Sequence, residues 1–363
     1  MKRTAATIII VISAIAAPLS ACGNPAAASA GNRAARQEAS SETFVDDKAA
    51  DAAGSKEASD ANGMEARPVP QELKIISEEY YSPAKRQGML VELNYDTYES
   101  KTYEQKTQKL KKRAIVYLPY CYSEEERYNV FYLMHGGWGN EATTLGTPGN
   151  PSAFKNVIDN AVATGDFDPL IIVCPTYNNT SPRDSASFSL ALELNRNYRN
   201  ELLNDLIPAV ESAYSSYAES TSPEDLMDSR DHRGFGGFSM GSVATWRTFQ
   251  HGLYYFRYFL PMSCGTTLDE ENIFAAAEDH DQSDYFVWVI TGTEDFAYPY
   301  DEERVELMRN SPYFTEHGNE RNGNFAYHVK EGYSHDGIAS MEYTYSGLCW
   351  FWSALSFDKT ISR

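Results

Sequence analysis

The sequence is short of several things, and each shortage narrows the choice. It carries no HExxH pair, EF-hand loop, phosphate-binding glycine loop or internal repeat, so the usual signatures of a zinc peptidase, a calcium module, a nucleotide enzyme or a solenoid are missing. Cysteine is scarce: the five residues Cys22, Cys121, Cys174, Cys264 and Cys349 are scattered without CxxC spacing. The last four lie in or beside apolar runs and read as buried free thiols, with one disulfide as the alternative in an oxidising compartment. Positive charge is also in short supply, with 31 Lys and Arg against 51 Asp and Glu and a formal net charge of −20. That balance argues against a nucleic-acid partner and against binding an anionic membrane by charge alone.

The first 68 residues are not expected to fold with the rest. Lys2 and Arg3 precede a short apolar core, Ala5 to Leu19, which reads as an export signal and is too short for a comfortable membrane span. Its end, Leu19-Ser20-Ala21-Cys22-Gly23, resembles a lipobox, in which Cys22 is lipidated and becomes the new N-terminus; an ordinary signal cleaved near Ala21 is the alternative. Either way the protein is expected outside the cytoplasm, meeting a membrane only through the lipid on Cys22. Residues 23–68 are mostly Ala, Ser, Gly and acidic residues and cannot bury enough apolar surface to offset their ordering entropy. They read as a tether with a reach of roughly 35 to 40 Å.

Residues 69–363 suit one large α/β domain. Strand patterns at Met89 to Tyr95 and Arg113 to Pro119 suggest an antiparallel edge hairpin, and further strands follow at Asn129 to Met134 and Leu170 to Cys174. A helix is expected from Pro151 to Thr164 and a long helical region from Phe188 to Tyr217. Beyond the strand entering Ser239, strands at Tyr255 to Met262, Tyr285 to Thr291 and Asn324 to Lys330 alternate with helices at Glu270 to Ala277, Asp301 to Arg309 and Ile338 to Leu355. This alternation predicts a mostly parallel sheet with helices on both faces and its chemistry at the carboxyl ends of the strands.

Three of those ends carry reactive side chains. Gly237-Phe238-Ser239-Met240-Gly241 fits G-x-S-x-G, the strand-to-helix turn that presents a nucleophilic serine in α/β-hydrolases. Asp295 follows a second strand and His335 a third, and Ser, Asp, His is the chain order of the α/β-hydrolase triad. A serine hydroxyl needs a base to take its proton, and a carboxylate sets the base's tautomer. Glu294 and Asp301 are alternative carboxylates. His135 and His328 read as loop-bracing and packing residues. The segment Gly136-Gly137-Trp138-Gly139 offers a second oxyanion donor beside Met240: Gly137, with Trp138 the alternative.

The segments Tyr132-Leu133-Met134-His135-Gly136-Gly137 and Ser229 to Gly241, with Tyr214 to Thr221 and Thr291 to Tyr298, resemble the esterase D-like, carbohydrate esterase family 1 group. The likeness is nearest to the feruloyl esterase modules attached to bacterial xylanases and spans Met89 to the C-terminus. It implies an α/β-hydrolase serine esterase that acts, without cofactor or metal, on feruloyl or acetyl groups of plant cell-wall oligosaccharides or on small esters. By the same resemblance Ser239 is the nucleophile, Asp295 the acid and His335 the base. Two segments depart from the pattern: Cys264-Gly265-Thr266-Thr267 and Asp336-Gly337 stand where the feruloyl esterases place aromatics, leaving Trp138 as a candidate substitute wall. Acyl transfer by the same fold, and a non-catalytic carbohydrate-binding lipoprotein, are the competing expectations.

Overall fold

In the computed structural model, residues 68–352 are described. The expected signal, the expected lipidation site at Cys22 and the expected tether lie outside them. Two long strands open the fold, β1 (Met89–Tyr98) and β2 (Lys109–Leu118), followed by β3 (Val130–Met134). A small hairpin, β4 (Gly146–Thr147) with β5 (Asn150–Pro151), leads into helix α1 (Ala153–Thr164). Pro151 therefore belongs to the hairpin and not to the first turn of the helix. Ser152 begins the helix instead, because its hydroxyl can accept from the Lys155 N–H and so satisfy an end donor that proline leaves unserved.

After β6 (Ile171–Cys174), the long helix expected up to Tyr217 is a broken run: α2 (Phe188–Asn197), α3 (Arg199–Glu201), a π-turn (Leu202–Leu206) and α4 (Ile207–Ala213). Pro208 has no N–H to return to the previous turn, and the backbone widens so that Ile207 N–H reaches the Leu202 carbonyl. A short helix the sequence reading missed, α5 (Pro223–Asp228), precedes β7 (Arg233–Phe238) and α6 (Met240–Gly252). The remainder is β8 (Tyr258–Met262), α7 (Glu270–Ala275), β9 (Phe286–Gly292), α8 (Tyr298–Arg309), β10 (Phe325–Lys330) and α9 (Gly337–Trp350).

Among the described residues eight strands form one sheet in the order β1-β2-β6-β3-β7-β8-β9-β10. β2 pairs antiparallel with β1 and β6, and every later pairing is parallel. Parallel strands need helices over both faces, and two apolar cores result. Alternation along β9 shows the division: Val287 and Val289 enter the core beneath α2, α6 and α8, while Phe286, Trp288 and Ile290 enter the core beneath α1 and α9.

Arg233 fixes the foot of β7. Its guanidinium holds both oxygens of Glu211, and it also donates to Ser229 Oγ and to the Leu226 and Tyr255 carbonyls. Both charges are buried, and the strand they anchor ends one residue before Ser239.

Candidate active site

Ser239 joins β7 to α6 with φ 60° and ψ −118°, a conformation unfavourable for a residue with a Cβ. Its amide is tied to the Met262 carbonyl of β8 at 2.9 Å, so the turn is held from the side. The two glycines of the pattern are required by contact. A Cβ at Gly237 would lie 2.6 Å from the Gly241 backbone, and one at Gly241 would lie 2.4 Å from the Met134 carbonyl oxygen. The sharp turn brings α6 against β3, which leaves the serine at the carboxyl ends of the strands.

His335 arrives from the loop between β10 and α9. Its Nδ1 lies 2.8 Å from Oδ1 and 3.0 Å from Oδ2 of Asp295, which follows β9. The ring sits between Phe238, the neighbour of Ser239, at 4.5 Å and Phe296 at 4.3 Å between ring centroids. Nδ1 is taken by the carboxylate and Nε2 has no hydrogen-bond partner among the described residues, so Nε2 is the atom available to accept a proton. The bond from Ser239 to the imidazole is not closed in this structure; such bonds tighten when a substrate is in place.

Burial alone would raise the Asp295 carboxyl, but the His335 bond and the Ala297 N–H at 2.7 Å outweigh it and hold the group below the ordinary carboxylate range. The other candidate carboxylates are elsewhere: Glu294 is exposed, and Asp301 is buried on α8. Asp301 accepts from the Cys264 N–H at 3.0 Å and from Arg304 at 2.7 Å, and burial pushes it up to about 7 despite the arginine. Arg304 in turn donates to the Thr266 carbonyl at 2.7 Å, so the pair braces the segment 264–266 beside the serine. Sequence reading missed this role, which only the folded contacts reveal.

The glycine segment after β3 is braced in the same manner. His135 is buried, donates from Nδ1 to the Gly136 carbonyl and accepts at Nε2 from Thr176, and burial lowers it to about 4, so the ring stays neutral. His328, the other histidine set aside, accepts from Trp288 Nε1 at 3.0 Å. The Trp138 N–H is committed to the Ser185 carbonyl at 3.0 Å. Gly137 N–H and Met240 N–H have no acceptor among the described residues, and Met240 opens α6, where the first amides are unsatisfied by the helix itself. Both residues line the same cavity as Ser239, so the geometry favours Gly137 over Trp138 as the second donor.

That cavity, about 120 Å³, has aromatic walls from Trp138, Phe188 and Phe296. All three are well exposed, Trp138 at 80%, which is unusual for large apolar side chains grouped in one place, here beside Ser239. Phe188 and Phe296 were not singled out from the sequence; Phe188 reads there as one helix residue among many. Thr266 and Gly265 also line it, Gly265 directly against the Phe296 ring, so the segment that departs from the feruloyl esterase pattern does face the cavity. Among the described residues no group of three or more His, Cys, Asp or Glu could hold a metal ion, and Cys174, Cys264 and Cys349 are free thiols.

The chain is similar to several known proteins. Residues 105–255 match the family model described as putative esterase. The chain is 34% identical over 298 residues to endo-1,4-beta-xylanase Y of Acetivibrio thermocellus, covering 80% of this chain and 25% of that protein. A match of 27% identity over 197 residues links it to an endo-1,4-beta-xylanase/feruloyl esterase of Xylanibacter ruminicola, covering 52% of this chain and again 25% of the relative. The chain thus spans about a quarter of the length of these curated relatives. Among solved structures, a serine-to-alanine variant of the feruloyl esterase module from Clostridium thermocellum, complexed with sinapinate, superposes with TM-score 0.67 at 32% identity, covering 80% of this chain and 97% of that one. The chain belongs to the carbohydrate esterase family 1 group of esterases, with the feruloyl esterase modules of bacterial xylanases.

Proposed function

We propose that the protein is a serine carboxylic-ester hydrolase that releases feruloyl or acetyl groups from plant cell-wall oligosaccharides of the xylan type. The observation that carries this reading is that Ser239 and two unsatisfied N–H donors line one aromatic-walled cavity, with the ring of the His335–Asp295 pair packed on Phe238 and Phe296 beside it.

In this mechanism the Ser239 Oγ attacks the ester carbonyl carbon while His335 Nε2 takes its proton. Asp295 holds the opposite nitrogen and stabilises the imidazolium. The carbonyl oxygen becomes an anion facing the N–H groups of Met240 and Gly137. Collapse breaks the bond to the alcohol, which leaves with the proton from His335, and an acyl group remains on Ser239. A water molecule, deprotonated by His335, then attacks the acyl carbon and frees the acid. The apolar faces of Trp138, Phe188 and Phe296 suit a hydroxycinnamoyl ring, since aromatic rings gain from stacked and edge contacts beyond area burial alone.

The reading extends to an extracytoplasmic enzyme held by lipid on Cys22, on the support of the apolar segment and Leu19-Ser20-Ala21-Cys22. The catalytic proposal is tested by incubating the full chain and its Ser239→Ala variant with methyl ferulate and 4-nitrophenyl acetate. Serine-dependent release of ferulate is expected; acetate release alone would move the acyl group to acetyl, and no turnover of either would overturn the hydrolase reading.

A further inference from the structure

Three arginines lie on α2, α3 and α6, the first and last of which border the cavity, and among the described residues none of the three is in an ion pair. Arg196 is in the last turn of α2, Arg199 begins α3, and Arg247 is on α6. Arg196 and Arg247 repel each other. Arg199 donates to His251 at 3.0 Å, and burial together with Arg199 and Arg247 pushes this imidazole down to about 4, so it stays neutral and adds no charge. An uncompensated cationic cluster stands out in a chain of net charge −20.

Arg247 carries the clearest sign of a missing partner. It is 9% exposed, its Nη1 donates to Gln250 at 2.8 Å, and its buried Nε–H has no acceptor among the described residues. The Nε and Nη2 side of a guanidinium is the fork that grips a carboxylate through two parallel bonds. The molecule uses that fork elsewhere: Arg233 holds Glu211 with it, and Arg309 holds Glu316 with bonds of 2.6 and 3.2 Å. The acids that act on Arg247, Asp269 and Glu270, are engaged by other donors, Asp269 by Asn272 and Glu270 by Arg304 and the Leu268 N–H.

Arg247 is not itself among the residues that line the cavity, but its helix reaches it. Val243, one turn before Arg247 on the same face of α6, lines it, and so does Phe188, which starts α2. Eight residues of helix place Arg247 about 12 Å along the axis from Ser239.

Resting on the esterase reading above, we propose that Arg247, with Arg196 beside it, binds a carboxylate on the sugar portion of the substrate, as a uronic-acid substituent of the oligosaccharide would supply. The acyl group cannot provide this anion, because its carboxyl is consumed in the ester. The remaining source on a plant-wall oligosaccharide is an acidic sugar in the alcohol portion. The cluster gives such a substrate one favourable landing place on an otherwise repelling surface.

The test is calorimetric titration of the full chain with a glucuronic-acid-substituted xylo-oligosaccharide and with the same oligosaccharide lacking the acid, at low salt. Neither probe carries an ester, so binding is read without turnover, while a failure of the esterase reading shows separately as intact methyl ferulate and 4-nitrophenyl acetate. Wild type is expected to favour the acidic probe about tenfold, the difference a bidentate charge-assisted pair provides. Arg247→Met should bring the ratio near one, and Arg247→Lys should restore only part of it. Because Arg247 is buried, the exposed Arg196→Gln serves as the second variant and should reduce the preference about threefold. Equal binding of the two probes by wild type, or a preference that survives in both Arg247→Met and Arg196→Gln, would overturn the proposal.

Discussion

Nδ1 of His335 faces both oxygens of Asp295, at 2.8 and 3.0 Å, and the ring is clamped between Phe238 and Phe296. The carboxylate therefore selects the tautomer with the proton on Nδ1, and the aromatic clamp fixes the plane in which Nε2 lies. Asp295→Asn should keep the fold and lower kcat on methyl ferulate by about 10³- to 10⁴-fold, since an amide can stabilise the wrong tautomer and cannot balance the imidazolium. Glu294→Gln, on an exposed side chain, should stay within about twofold of wild type. Steady-state kinetics on the two variants separates the carboxylates, and equal losses would remove Asp295 from its role.

The two buried acids near the site should respond to pH in opposite senses. Asp295 lies below its unfolded value, so the stability it contributes is present above about pH 4 and is lost as pH falls through its folded value. Asp301 is pushed up to about 7, so the folded state holds a proton that the unfolded chain releases near pH 4, and stability declines as pH rises between about 4 and 7. Melting curves of wild type and Asp301→Asn across that window should show wild type losing ground to the variant as pH rises. A difference in Tm that does not change with pH would contradict the burial effect.

Substitutions at the glycines should separate by available space. Gly241→Ala would press a Cβ to 2.4 Å from the Met134 carbonyl oxygen and should abolish activity by displacing the turn that carries Ser239. Gly137→Ala meets nothing closer than the Ser185 carbonyl oxygen at 3.8 Å and should retain kcat within about threefold, because the proposed donor is a backbone N–H that alanine keeps. Kinetics with 4-nitrophenyl acetate reads both, and a large loss in Gly137→Ala with an unchanged fold would shift the oxyanion assignment.

The aromatic walls should matter most to aromatic acyl groups. Phe188→Ala and Phe296→Ala should each lower kcat/KM for methyl ferulate about tenfold, in line with the loss of a ring contact and its buried area, and change 4-nitrophenyl acetate hydrolysis far less. Phe296 also packs on His335, so its variant should affect both substrates somewhat more than the Phe188 variant does. Equal effects on the two esters from Phe188→Ala would mean that the cavity does not hold the acyl ring.

Much of this arrangement was legible in the sequence because strand ends carry their chemistry locally. The alternation of apolar runs and helical faces indicated a mostly parallel sheet, and β3, β6, β7, β9 and β10 begin or end within about two residues of where the pattern put them. Helical continuity was harder to read. The apolar spacing runs on from Phe188 past Tyr198, yet Pro208 and the π-turn before it break the run, an effect of one missing N–H that periodicity does not register. The Pro151 reading failed for a related reason: proline suits a first helical turn and an edge hairpin equally well, and the adjoining Ser152 decided the matter by capping. Contacts between distant segments left no local signal at all. Phe188 reaches the cavity from 51 positions before Ser239, and the Asp301–Arg304 pair that braces Cys264 and Thr266 joins two segments about 40 residues apart.

The measurement that bears most directly on the account is intact-protein mass after reaction with a fluorophosphonate, followed by peptide mapping. A single adduct on Ser239 is expected in wild type, with none in Ser239→Ala and slow labelling in His335→Ala, where the base is gone but the turn is intact. Labelling that maps to another residue, or a wild-type protein that takes no label while a control serine esterase does, would contradict the assignment of Ser239 as the nucleophile.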